Sequence, residues 1–129
     1  MNLFINTPAY YGKKHGIDEE IYKMCNHISK NIDVTRYTKH IDTIGIVPII
    51  APKTEDWKEE KHISLTYRMA SVSIREDYDE YCNADINTKK AIMIQNIKKS
   101  LFVVKKRLKG NFNYEQMVQD IESVLLYEK

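Results

Sequence analysis

Glu76, Asp77, Asp79, Glu80 and Asp85 place five carboxylates within ten residues, in the stretch SIREDYDEYCNAD. At that density carboxylates can hold a hard cation, pair as general acid and base, or face a basic macromolecule. A calcium loop needs acids or Asn at its first, third and fifth positions and Gly at the sixth. Counted from Asp77, the fifth and sixth positions are Tyr81 and Cys82, so the pattern fails. The four histidines (His15, His27, His40, His62) and two cysteines lack CxxC or HxxxH spacing, which leaves zinc without a ligand set. An acid/base pair needs a pocket that splits two pKa values, and spacing along one segment supplies neither. GxSxG, HExxH, P-loop and GxGxxG signatures are all missing from the sequence. No catalytic residue, metal ligand or cofactor-binding residue is assigned, and no cofactor is expected.

Helix capping accounts for part of the acidic stretch. Asp77 is placed to cap a short helix with Glu80 three residues on, and Tyr78, Tyr81 and Cys82 share its inner face. Asp85 or Asn87 can cap the next helix, and negative side chains suit a helix start. Glu76, Asp79 and Glu80 then remain beside two tyrosines as a surface suited to a basic protein. A solvated helix start and a docking surface both stand as readings.

A second cluster is cationic. On a helical wheel Lys98, Lys99, Lys105, Lys106 and Lys109 share one arc with Phe102 inside it. Clustered lysines release counterions from phosphates and an aromatic ring can stack on a base, so helix 88–109 is the alternative, nucleic-acid-binding site. The arc also lies opposite an apolar stripe, where solubility requires charge. With no RNP signature or zinc finger beside it, a nucleic-acid partner is not the favoured reading. Trp57, alone in the polar string KTEDWKEEK, either covers a sheet edge or anchors an interface, and Tyr10 and Tyr11 share that ambiguity.

These residues need elements to carry them, and a chain of 129 residues suits a single domain, 1–129, with one core. LFI after Met1 reads as a short strand and TPAYYGKKHG as a loop. Asp18 caps a helix whose Ile21, Met24, Cys25 and Ile28 recur at helical spacing and which ends near Asn31. Residues 43–51 form a β-branched strand in which Pro48 argues for an edge position or a bulge. In HISLTYRMASVSIRED the apolar face moves from odd to even positions, which requires a turn or bulge within residues 68–71 and predicts a hairpin. Ile94, Ile97, Leu101, Val104 and Leu108 mark a long helix, with Gly110 at its left-handed cap. Asn113 caps a last helix with Gln116 in a capping box, Phe112 stapled to Met117, and Met117, Val118, Ile121, Val124 and Leu125 buried. The expected architecture is α+β: an antiparallel sheet of about four strands packed against one N-terminal and two C-terminal helices.

Net charge is +2 at a pI near 8.4, but unevenly spread. Residues 1–85 hold 11 basic and 14 acidic side chains, residues 86–114 hold 8 and 0, and residues 115–129 hold 1 and 4. A basic helix therefore sits between acidic neighbours. Cys25 and Cys82 read as free thiols rather than a disulfide, and Cys82 as a small buried thiol rather than a nucleophile. The N-terminus lacks a secretory pattern and no apolar run is long enough to span a bilayer, so the expected location is cytoplasmic with no membrane partner.

VSIREDYDEYCNAD followed by KKAIMIQNIKKSLFVVKKRLKGNFNYEQMVQDI resembles immunity protein family 44 of bacterial polymorphic toxin systems. The likeness covers about the last 70 residues and extends back toward Trp57. It implies a non-catalytic inhibitor that binds the toxin domain encoded beside it and occludes its active site in the cytoplasm. The toxin would be a nuclease or another intracellular enzyme. Inhibitors of nucleases are often strongly acidic, and this chain departs from that, so attraction falls to a local patch. The contact residues expected on this basis are Asp77, Tyr78, Asp79, Glu80 and Tyr81, supported by Glu76 and Trp57.

Overall fold

The structure, a computed structural model, describes residues 1–6, 9–10, 18–52 and 61–127. Leu3–Ile5 form strand β1, as expected, and Ala9–Tyr10 form a two-residue strand, β2, inside the stretch read as loop. Helix α1 spans Glu19–Asn31; the Asp18 carboxylate accepts the Glu20 N–H at 3.3 Å, and Ile21, Met24, Cys25 and Ile28 are buried. A short 3-10 helix, Val34–Arg36, then leads to strand β3, Thr43–Ala51. Strands β4, Lys61–Thr66, and β5, Met69–Asp77, are followed by helices α2, Tyr78–Cys82, α3, Ile86–Leu108, and α4, Tyr114–Leu126.

The fold class is α+β, but the sheet is mixed rather than antiparallel. Its order is β1-β3-β5-β4, with β2 also paired to β3. β3 runs parallel to β1, β2 and β5, and among the described strands only β4 and β5 are antiparallel. The reason lies in α1: a helix between β1 and β3 is the crossover that lets consecutive strands lie parallel. Beside the three helices of the expected architecture stand α2, the short helix read from its Asp77 cap, and the 3-10 turn.

Pro48 occupies neither an edge nor a bulge, for β3 is central. Ile44 donates its N–H to the Asn2 carbonyl at 3.0 Å and Ile46 accepts from Asn6 at 2.9 Å, so even-numbered peptide groups of β3 turn toward β1. Pro48 is next in that series and has no N–H. β1 pairs with residues 44–46 and β2 with residues 49–50, so the missing donor falls where the pairing passes from one short strand to the other.

The hairpin turn is Tyr67–Arg68, starting one residue ahead of the expected window, with Thr66 opposite Met69. Ile63 then faces Val72 and Leu65 faces Ala70, which resolves the switch of apolar face between the strands. Leu3, Ile44, Ile46, Ile50, Ala70, Val72 and Ile74 point to one side of the sheet and form a single core with α1, α3 and α4.

Within α3 the core face is Met93, Asn96, Ile97, Ser100, Leu101 and Val104; Ile94 and Leu108 are only half-buried. Its positive-φ cap is Lys109 (φ 50°), one residue before the expected Gly110. In α4 the Asn113 side chain accepts the Gln116 N–H at 3.4 Å, Met117 and Ile121 are buried, and Val118, Val124 and Leu125 are half-buried. Tyr37 fastens this helix, donating to Asp120 Oδ2 at 2.5 Å while its carbonyl accepts the Asn113 N–H at 2.8 Å. Cys25 is buried and Cys82 half-buried, and neither is in a disulfide. No described helix is long and apolar enough to cross a membrane.

Candidate functional site: an acidic end of the sheet

β5 hands over directly to α2, because Asp77 is both the last strand residue and the N-cap, its carboxylate accepting the Asp79 N–H at 3.3 Å. Asn83 closes the helix by donating to the Asp79 carbonyl at 3.1 Å. Asp85 then caps α3, accepting the Thr88 N–H at 2.8 Å, and these hydrogen bonds hold its carboxyl below the ordinary value. Glu76 is half-buried, with Oε1 accepting from Asn96 Nδ2 at 3.1 Å. Three of the five carboxylates are thus occupied by the fold. Asp79 and Glu80, on the first turn of α2, are exposed.

The two tyrosines separate. Tyr81 is fully buried in the core, with the Lys89 ammonium 5.6 Å from its ring centre, and is withdrawn from the contact surface. Its position follows from the spacing read as an inner face: on a five-residue helix capping a strand, that face meets the core. Tyr78 is half-buried next to Cys82, and burial pushes both the phenol and the thiol upward. A thiol raised by burial stays protonated at neutral pH and is a poor nucleophile. Among the described residues no group of His, Cys, Asp and Glu side chains could hold a metal ion.

The topology adds residues that sequence reading did not join to the site. α1 follows the carboxyl end of the β1–β2 edge and α2 that of β5, so their acidic starts share one end of the sheet. Lys89 Nζ lies 3.5 Å from the Asp18 carboxylate and Lys90 Nζ 3.1 Å from that of Glu20, tying the start of α3 to that of α1. Glu19 and Glu20 thereby join Asp79 and Glu80 as exposed acids of that end. The strand–helix–strand order of residues 3–51 was the signal for this placement. Trp57 lies outside the described residues; Ala51, before it, is paired with Asp77, and Lys61, after it, with Ile74.

Part of the lysine arc forms a seam between helices. Lys98 pairs with Glu122 at 2.7 Å and Lys105 with Glu115, both acids from α4. Phe102 meets Tyr114 edge-on with ring centres 5.5 Å apart, and the Lys105 and Lys106 ammonium groups lie 5.7 and 4.9 Å from the Phe102 centre. Lys99 and Lys109 are exposed. On the sheet face away from the helices, Ile49, His62, Ser73 and Arg75 line a shallow depression of about 210 Å3.

The domain is α+β, and the acids that its caps leave over, Asp79 and Glu80 with Glu19 and Glu20, are exposed at one end of its sheet. The chain matches the model of the family described as immunity protein 44 over residues 1–127 and belongs to that family. No curated protein and no solved structure matches it.

Proposed function

We propose that this chain is a non-catalytic inhibitor that binds one bacterial toxin domain, encoded beside it, and covers that domain's active site. It acts in the cytoplasm of the cell it protects. Membership of an immunity-protein family supports the class. The observation that carries the mechanism is the exposure of Asp79 and Glu80 at the end of the sheet where Glu19 and Glu20 also lie. Carboxylates left over from capping present negative charge to a cationic substrate cleft, such as that of a nuclease, and steer association despite a net charge of +2. Glu76, Asp77, Tyr78, Asp79 and Glu80 form the described part of the contact surface, and Trp57 adds an aromatic anchor.

The test is titration of the purified chain against the toxin domain of the neighbouring gene. A 1:1 complex should form well below micromolar concentration. Asp79→Lys with Glu80→Lys should slow association about 10-fold at low salt, with the difference shrinking as salt rises. Absence of a complex at micromolar concentration would falsify the inhibitor reading; an unchanged association rate would remove these two acids from it. The nucleic-acid reading is weakened by the pairing of Lys98 and Lys105 with α4 carboxylates.

A further inference from the structure

The tip of the β4–β5 hairpin carries a residue that the fold does not use. Tyr67 is fully exposed, at 100% of its reference area, and adopts φ 56° as the first of two loop residues. A two-residue hairpin loop with positive φ at its first position ordinarily takes glycine there. An L-residue in that conformation is strained, and a fully exposed ring gains no packing to offset the strain. The strain opposes the stability of this chain, the exposed ring does nothing to offset it, and glycine in place of Tyr67 would remove it.

The loop itself is held firmly. Asp42 and Thr43 donate their N–H groups to the Arg68 carbonyl at 2.9 and 3.3 Å. The Arg68 guanidinium donates from Nε to Asp42 Oδ2 at 3.0 Å and from Nη2 to the Lys39 carbonyl at 2.8 Å. Four hydrogen bonds to residues 39–43 thus fix Arg68, and with it the direction in which its neighbour is carried. Met69 follows, 40% exposed, with its Cε 3.4 Å from where a Cβ would stand on Gly45. Tyr67 and Met69 thus flank Arg68 at a turn whose backbone is held in place.

We propose that Tyr67 is a pre-formed aromatic anchor for the toxin domain, inserted with Met69 beside it into an apolar pocket with an acceptor-bearing rim. This rests on the inhibitor reading above. Tyrosine is a preferred hot-spot residue with few rotatable bonds, and a loop backbone already held before binding loses little entropy on docking. The nine residues of β5 separate Tyr67 from the acidic end, a span of roughly 30 Å. A standard interface of roughly 800 Å2 per partner is about that wide, so one toxin domain can meet both ends.

The experiment sets stability against binding. Tyr67→Gly relieves the backbone and removes the ring, so its melting temperature should rise by about 4 °C. Its affinity for the neighbouring gene's toxin domain should nonetheless fall at least about 30-fold, mainly through faster dissociation. Tyr67→Phe keeps the ring and should lose less than about 5-fold. If Tyr67→Gly is stabilised and binds like the wild type, Tyr67 is only a turn residue and the anchor is overturned. A lower melting temperature removes the strain argument and overturns it as well. Failure of the wild-type chain itself to bind overturns the inhibitor reading, a result distinct from either.

Discussion

Asn96 Nδ2, fully buried on α3, lies 3.1 Å from Glu76 Oε1 and 3.2 Å from the Ile74 carbonyl. A core side chain therefore sets the position of the first acid of the candidate surface. Replacing Asn96 with Ala should cost about 1–3 kcal/mol, because buried acceptors lose their donor. Urea unfolding measures that loss. The same variant should loosen Glu76 and weaken toxin binding beyond what an equally destabilising core change, such as Ile97→Val, produces.

Lys89 is 9% exposed and pairs with Asp18, the cap of α1. Asp18→Ala removes a cap and also leaves a buried ammonium without its carboxylate, so about 2 kcal/mol or more should be lost. Lys89→Met, which fills the space without charge, should cost less. A double-mutant cycle should give a coupling energy above about 0.5 kcal/mol; strict additivity would show that the pair does not link the helices.

Acid sensitivity follows from the caps. The Thr88 N–H lowers the folded-state pKa of Asp85 from its ordinary 3.8, and Asn2 and Thr35 lower that of Asp33 from the same value. Between each lowered value and 3.8 the unfolded chain binds more protons, so this contribution is fully present above that window and disappears as pH falls through it. Stability should drop as pH falls below about 4. Asp85→Asn should flatten the drop while leaving the curve near pH 7 parallel to the wild type, as chemical denaturation across pH would register.

The lysine seam predicts a negative. Because Lys98 and Lys105 already face Glu122 and Glu115, a labelled single-stranded oligonucleotide at roughly 50 mM salt should show no binding at micromolar protein. Binding with a salt slope that drops when Lys98, Lys105 and Lys109 are replaced would restore the nucleic-acid reading.

Periodicity and capping carried the helices well, because each signal is local: Asp18 and Asn113 cap where their spacing predicts. Strand direction is not local, and nothing in TIGIVPIIA states that its partners run parallel. The order of β1, α1 and β3 held that information, since a helix between two strands supplies the crossover. Pro48 misled because a missing donor argues against a central strand only where the neighbour is continuous, whereas that side of β3 is served by two short strands. Gly110 drew the cap away from Lys109 for a similar reason: composition marks a preferred residue, not the one that turns. At the site, the five acids were visible as a group, but their division into Asp77 and Asp85 as caps, Glu76 as an acceptor and Asp79 and Glu80 as exposed charge required the neighbours.

β5 pairs on one side with β4, next to it in the chain, and on the other with β3, where Thr43 meets Met69. Hairpins close within microseconds, while distant parallel pairing waits on loop closure. The β4–β5 ribbon is therefore expected to close before it pairs with β3. Val72 and Ile74 are covered by the helices in the finished core, so a chain truncated within α3 should leave them exposed and aggregate more readily than the full chain.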